Sequence, residues 1–166
     1  ELGRAVNLYE NRSRLDQVGK AVLAVALGLL EPEEDLRIKT LLSDLTGDAI
    51  YSATGTHWEE ERIDYYNMNT DVRTTATVLW ALAHHRPESE LLPNTVRWLM
   101  NTRKGGYWES THTTAWSLIA LTRYMQASGE LEGEFSYTVS LNGQKLLEDA
   151  VTPETIDEGE TLTIEL

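Results

Sequence analysis

Apolar residues recur at helical spacing along most of the first 128 positions, in two kinds of segment. Three segments are apolar around much of their circumference, as a helix surrounded by other helices requires: LDQVGKAVLAVALGLL from Leu15, TTATVLWALAHH after Thr70, and TTAWSLIALTRYMQ after Ser110 or Thr111. The segments between them carry a single apolar stripe. The pattern therefore predicts inner and outer helices in alternation.

The two striped segments predict outer helices with one buried face. The first, EEDLRIKTLLSDLTG, is expected to stop at Gly47, and the second begins at Leu91. The apolar residues expected to face inward are Leu36, Leu41, Leu42 and Leu45 in the first helix, with Ile38 off the stripe, and Val96, Leu99 and Met100 in the second.

The three inner segments are copies of one pattern, repeated at intervals of about 55 and about 40 residues. The motif T-T-A-x-x-L-x-A-L occurs twice, as TTATVLWAL and TTAWSLIAL. The superposed positions are Ala21, Ala24, Ala26 and Leu27; Ala76, Leu79, Ala81 and Leu82; and Ala115, Leu118, Ala120 and Leu121. Repeated helix pairs with small residues on the inner helix predict an α/α toroid. About two and a half hairpins are too few to close the ring, so we expect a partial toroid.

The period of the apolar residues changes from helical to twofold after the third inner segment. Four apolar residues alternate with polar ones in EFSYTVSLNGQKLL: Phe135, Tyr137, Val139 and Leu141. The dipeptide Asn142-Gly143 is a strong signal for a two-residue hairpin turn. A second alternation, of Leu162, Ile164 and Leu166, ends the sequence. The fold prediction is therefore mostly α, a partial α/α toroid with a short C-terminal β-strand appendage.

Charge supports a boundary between these regions and limits the function. The formal net charge is −13, and Lys145 is the only base among many acids after residue 129. We therefore expect domains at residues 1–128 and 129–166. An anionic surface without a basic stripe disfavours nucleic acid. The absence of Cys excludes disulfides, thiolate metal sites and a Cys nucleophile within the chain. The sequence has no long apolar run and its first residues lack a signal-peptide pattern.

One long segment resembles a known family. The run VRWLMNTRKGGYWESTHTTAWSLIALTRY, followed by an acidic linker and EFSYTVSLNGQKLL, resembles the end of the thioester domain of alpha-2-macroglobulin and complement proteins, which leads into a β-sandwich domain. Residues 54–82 resemble its bacterial branch most. The resemblance implies a fragment of a broad-spectrum protease inhibitor. In that family a protease cuts a bait segment of the inhibitor. The cut exposes an internal thioester between a Cys and a Gln side chain, which then acylates the attacking protease. It also implies target proteases and other parent domains as partners, and a periplasmic or cell-surface parent.

The chain departs from the family pattern at the thioester itself. It contains no Cys and no Glu-Gln pair, so the Cys-x-Glu-Gln stretch has no counterpart here. We expect that motif to precede Glu1 in a longer parent; the alternative is a parent that lacks it. No catalytic, cofactor-binding or metal-binding residue is carried over, and we expect no enzymatic activity and no cofactor.

Two histidine-containing clusters have simple structural explanations. His84 and His85 are adjacent at a helix end, so their side chains point about 100° apart and do not chelate one metal. Histidine also suits a helix C-terminus because of the helix dipole. Ser110, His112 and Thr113 suggest a nucleophile and base, but N-capping of the third inner helix explains them.

Glycine and tryptophan mark the connections. Gly105-Gly106 lacks the spacing of a phosphate-binding loop and predicts a turn with positive φ between an outer and an inner helix. Trp58 and Trp108 each precede an inner helix at the same ring edge, and we expect them to pack there. We expect Trp98 to face a seam between helices or solvent.

The stretch YSATGTHWEEERIDYYNMN, residues 51–69, carries the alternative function. Compared with the next repeat, it has about eleven additional residues between the Trp and the inner helix. Long loops on rigid scaffolds often bind ligands. Its acids and aromatics would suit a carbohydrate cleft: Trp58, Glu59, Glu60, Glu61, Asp64, Tyr65 and Tyr66. The alternatives are thus a carbohydrate-active toroid enzyme or binding module centred here, with Thr56 and His57 the first residues to mutate, or an interaction scaffold without activity. A solvated acidic loop is the simplest interpretation of this stretch.

Overall fold

Six α-helices and four short strands make up the described part of the chain, in a computed structural model that describes residues 1–32, 36–60, 66–130, 134–152 and 154–155. The helices are α1 (Leu2–Glu10), α2 (Gln17–Leu30), α3 (Leu36–Gly47), α4 (Asp71–His85), α5 (Leu91–Thr102) and α6 (Thr111–Ser128). The strands are β1 (Ile50–Ser52), β2 (Gly55–His57), β3 (Phe135–Leu141) and β4 (Gln144–Val151). The prediction of a mostly α fold with a small β appendage is confirmed.

The chain divides into two compact units, residues 1–127 and 128–166. In the first unit, α2 packs against α3 and α4, and α4 packs against α5. The inner helices begin where their caps predict: the Asp16 carboxylate accepts from the Gly19 N–H (2.6 Å), and the Thr70 hydroxyl accepts from the Arg73 N–H (3.2 Å). Ala21 is fully buried on α2 and Ala76 on α4, as small residues between close helices should be. Among the described helices, none has the length and apolar character needed to span a bilayer.

The apolar stripes of the outer helices differ from the prediction by one position each. On α3 the buried residues are Ile38, Leu41, Leu42 and Leu45, whereas Leu36 is 76% exposed. These four follow the i, i+3, i+4, i+7 spacing, and Leu36 occupies the first helical position, outside that stripe. On α5, Leu99 is buried but Met100 is 43% exposed, because the residue next to a buried one turns away by about 100°.

The third inner helix is covered on one side only within the described residues. Ala115 is exposed and Leu118 is 54% exposed, so the prediction that these positions match buried Ala76 and Leu79 is wrong. Ala120, which matches Ala81, is buried as expected, and the other buried residues of α6 are Thr113 and Ser117. The Trp116 ring meets the Trp80 ring of α4 edge-on at 6.0 Å, so α6 does lie beside the second inner helix.

A short hairpin that the sequence pattern did not reveal precedes α4. β1 and β2 pair antiparallel, with Tyr51 opposite Thr56. β2 is buried against α5, and Gly55 allows this approach: it has φ +135°, and a Cβ there would lie 2.3 Å from the Asn94 carbonyl oxygen. The segment expected to be a loop therefore begins as a strand pair fixed to an outer helix.

The second unit contains the predicted β-hairpin. β3 and β4 pair antiparallel through a turn in which Asn142 has φ +51° and Gly143 has φ +82°, as a type I′ turn requires. The ladder shifts register between Val139 and Ser140. Phe135 is 55% exposed, so its apolar face is not covered within the described residues. The predicted strand at Leu162, Ile164 and Leu166 lies outside them.

Candidate functional site

A buried tryptophan ties an outer helix to the following inner helix before α4. Trp58 is fully buried, and its indole N–H donates to the carbonyl oxygen of Leu45, near the end of α3 (2.7 Å). Its backbone N–H donates to Thr75 Oγ1 (3.0 Å), and the same hydroxyl donates back to the Trp58 carbonyl oxygen (3.2 Å). One Thr side chain thus satisfies both backbone groups of a buried residue, which would otherwise be costly to leave unpaired.

The same bonds recur before α6. The indole N–H of Trp108 donates to the Leu99 carbonyl oxygen of α5 (2.8 Å), its backbone N–H donates to Thr114 Oγ1 (3.0 Å), and that hydroxyl donates back to the Trp108 carbonyl oxygen (3.3 Å). We call this unit of outer-helix carbonyl, Trp and Thr the Trp–Thr clamp. Thr75 and Thr114 are the second Thr of the two T-T-A phrases, so the clamp explains the repetition in the sequence. Both tryptophans pack as predicted.

The Ser110 cluster caps a helix and does not form a nucleophile–base pair. Ser110 Oγ accepts from the Thr113 backbone N–H (3.1 Å) and lies 3.0 Å from its hydroxyl oxygen. Within the described residues, the buried Nδ1 of His112 has no hydrogen-bond partner. The capping interpretation of Ser110 is confirmed.

Gly105 and Gly106 form the predicted turn. Their φ values are +60° and +95°, and they connect Lys104 to Tyr107, which exchange two backbone hydrogen bonds of 2.9 and 3.2 Å. The resulting two-residue hairpin leaves Tyr107 62% exposed. Sequence alone did not indicate that this turn presents an aromatic ring.

The described acidic and aromatic residues of the 51–69 stretch do not by themselves form the predicted cleft. The Trp58 ring is inside the core, and Tyr66 is 98% exposed. Glu61, Asp64 and Tyr65 lie outside the described residues. The described members of the set thus place no aromatic face beside paired carboxylates.

Glu60 is a half-buried carboxyl of this stretch, next to the start of α4. Burial raises the pKa of Glu60 above its ordinary value, more than the hydrogen bond from the Thr74 hydroxyl lowers it. The backbone N–H of Glu60 donates to Asp71 Oδ1 at the start of α4 (3.0 Å). Glu60 also lines a cleft of about 440 Å³ with Lys20 and Asp48, whose side chains approach to 3.5 Å.

His57 makes contacts that the sequence did not predict. Its ring stacks in parallel on Trp98 of α5, with centroids 4.6 Å apart, and its Nε2–H donates to Glu59 Oε1 (3.2 Å). Trp98 is half-buried against this histidine, in agreement with a position at a seam between elements. Within the described residues the buried Nδ1 of His57 has no partner. Two structural contacts thus fix the ring, and one nitrogen stays uncommitted.

The pattern of helix hairpins and clamps agrees with a comparison to known families. The family model of the A-macroglobulin TED domain matches residues 4–124. The chain belongs to this family. The resemblance to the alpha-2-macroglobulin thioester domain is therefore confirmed, whereas membership of the bacterial branch stays a prediction. A search of curated proteins found no significant match.

At the other end of the inner helices of this TED domain, the two adjacent histidines serve packing. The Nε2–H of His85 donates to the Ala24 carbonyl oxygen of α2 (3.0 Å), and its ring occupies the space beside Gly28. An Arg123 guanidinium N–H of α6 donates to His84 Nδ1 (3.2 Å). Burial lowers the pKa of both imidazoles. Among the described residues of the TED domain, no three His, Asp or Glu side chains converge as a metal site would need.

Proposed function

We propose that this chain is a structural segment of an alpha-2-macroglobulin-like protein that traps proteases, from the bacterial branch of the family. The observation that carries the proposal is the match of the A-macroglobulin TED domain to residues 4–124. The chain has no Cys, so the acyl donor must come from a Cys-x-Glu-Gln motif elsewhere in the parent.

In this role the residues of the chain hold geometry and do no chemistry of their own. The two Trp–Thr clamps fix the starts of α4 and α6 to the ends of α3 and α5. A strained acyl donor needs rigid surroundings that keep water away until it is triggered. The partners of the parent are target proteases and its own other domains, its location is the periplasm or the cell surface, and this segment is not an enzyme.

The test uses the intact parent protein. We would incubate it with trypsin, with and without prior methylamine treatment, and look for a covalent adduct on a denaturing gel. We expect an adduct that methylamine abolishes, because the amine opens the thioester before the protease arrives. A parent whose motif Cys is replaced by Ala is the matched control and should form no adduct. Absence of any adduct from the untreated parent would refute covalent trapping and favour an interaction scaffold.

The described residues do not favour a carbohydrate-active site centred on Trp58. A sugar stacks on an accessible aromatic face, and the Trp58 ring is fully buried. Replacement of Glu59 should therefore affect local stability and not a glycosidase activity.

A further inference from the structure

A second pocket lies apart from the Glu60 cleft, at the end of α5. It has a volume of about 600 Å³ and is lined by residues from the start of α4, the end of α5 and the Lys104–Tyr107 hairpin. This volume falls in the range of small-molecule sites. The start of α4 is about thirty residues from the end of α5 and the hairpin that follows it, so the sequence contains no local motif for this pocket.

Two accessible aromatic rings, those of Trp98 and Tyr107, line the pocket and are held in place before any ligand binds; Trp108 also lines it but is only 2% exposed, so it forms part of the wall and offers no stacking face. Trp98 is fixed by the His57 ring stacked against it at 4.6 Å. Tyr107 is presented by a turn with two backbone hydrogen bonds, and Trp108 is held by its clamp. Rings that are already ordered lose little conformational freedom on binding, which favours affinity for a flat apolar surface.

Hydrogen-bond donors and hydrogen-bond acceptors both line the same pocket. Asn101 donates its amide N–H to the Thr54 carbonyl oxygen (3.2 Å), which orients the amide and leaves its carbonyl oxygen as an acceptor. The Asp71 carboxylate is similarly oriented, since Oδ1 accepts from a backbone N–H. Glu109 adds a second carboxylate, and Lys104 adds a donor.

We propose that this pocket binds a short neutral oligosaccharide. A pyranose presents an apolar C–H face that packs on an aromatic ring and a rim of hydroxyls that donate to carboxylates and amides and accept from ammonium groups. The lining of the pocket supplies each of these groups. A cationic ligand is the competing occupant, since the carboxylates of Asp71 and Glu109 outnumber Lys104. The Arg103 guanidinium already lies 5.7 Å from the centre of the Trp108 ring, so a cation would meet a like charge on that side of the pocket.

The site is independent of protease trapping and uses none of the residues first suspected of sugar binding. If the pocket binds no sugar, the proposed function in protease trapping is unaffected.

The test measures binding of maltotriose, cellotriose and tri-N-acetylchitotriose to the 166-residue chain by titration calorimetry and tryptophan fluorescence. We expect saturable binding of at least one, with Kd on the order of 1 mM or tighter. Tyr107→Ala should weaken it about tenfold or more, and Glu109→Gln should also weaken it while keeping the shape of the pocket. Tyr51→Ala is the matched control, because Tyr51 is 69% exposed, against 62% for Tyr107, and does not line the pocket.

Three results would overturn the proposal. One is the absence of saturable binding by all three sugars. Another is equal weakening by Tyr51→Ala and Tyr107→Ala in chains with unchanged circular dichroism. The third is tighter binding of arginine methyl ester than of any sugar, with loss of that binding in Glu109→Gln, which would identify a cation pocket.

Discussion

Replacement of Thr75 by Val tests whether the Trp–Thr clamp stabilises the helical unit. The substitution keeps the size and β-branching of a fully buried side chain but removes the hydroxyl that bonds the Trp58 N–H and carbonyl oxygen. Each buried backbone group left without its partner costs about 1–3 kcal/mol. Because two groups are affected and the added methyl recovers part of the loss, we expect a decrease of about 2–4 kcal/mol in the free energy of unfolding. In a chain of this size that corresponds to roughly 4–16 °C in Tm.

Thr77→Val is the matched control on the same helix. Thr77 is also fully buried, but its hydroxyl donates to the Arg73 carbonyl oxygen (2.9 Å), one turn earlier in α4. That carbonyl keeps its bond within the helix, so we expect a change within about 0.5 kcal/mol. Thr114→Val removes the second clamp, where Thr114 is partly exposed and water can replace the hydroxyl, so its cost should lie between the two.

Urea unfolding followed by tryptophan fluorescence is the assay. All five tryptophans lie before residue 127, so the signal reports on the helical unit alone even when the two units unfold separately. Equal midpoints for Thr75→Val and Thr77→Val would refute the reasoning, since they would show that the clamp hydroxyl contributes no more than an ordinary helical one.

Three further predictions concern the packing and the titratable groups, and they use four substitutions. Gly28→Ala should destabilise by about 1–3 kcal/mol, because its Cβ would lie 2.5 Å from the His85 ring, whereas Gly3→Ala meets nothing within 4 Å and should stabilise α1 by about 0.5–1 kcal/mol in the same melts. Burial lowers the pKa of His85 in the folded state, so its contribution to the free energy of unfolding is present above pH 6.5, the ordinary value, and is lost as the pH falls below it. His85→Gln should flatten that part of the plot of stability against pH. An unchanged slope would contradict this. Burial raises the pKa of Glu60, so its contribution to the free energy of unfolding is lost as the pH rises from the ordinary value of 4.5. Glu60→Gln should keep the hydrogen bond from Thr74 and should be neutral or stabilising at pH 7. A clear loss of stability would show that the charge is needed.

Segments with strong periodicity or turn chemistry were predictable from the sequence. α4 begins directly after Thr70 as expected, Gly105 and Gly106 adopt positive φ, and Asn142-Gly143 closes the β-hairpin. These features depend on nearby residues, whose preferences are local. α6 was placed correctly but its burial was not, because burial depends on which neighbours surround a helix.

The features missed are those set by contacts distant in sequence. β1 and β2 are too short for alternation to show, although Gly55, the first residue of β2, was a sign of a break just before it. The pairing of His57 with Trp98 joins residues from a strand and an outer helix, which no spacing rule connects. The pocket at Tyr107 depends in the same way on the start of α4 lying beside the end of α5 and its following hairpin, which only the folded chain brings about.

The bonds of the Trp–Thr clamp are the same in both copies, whereas the length of the chain between Trp and Thr differs. Trp and Thr are seventeen positions apart in the first clamp and six in the second, yet the backbone bonds have the same lengths to within 0.1 Å. Closing the longer loop costs only about 1 kcal/mol more in chain entropy. Evolution, or a protein engineer grafting a peptide, can therefore change the length and sequence of the connection at small energetic cost while both helix ends remain in register.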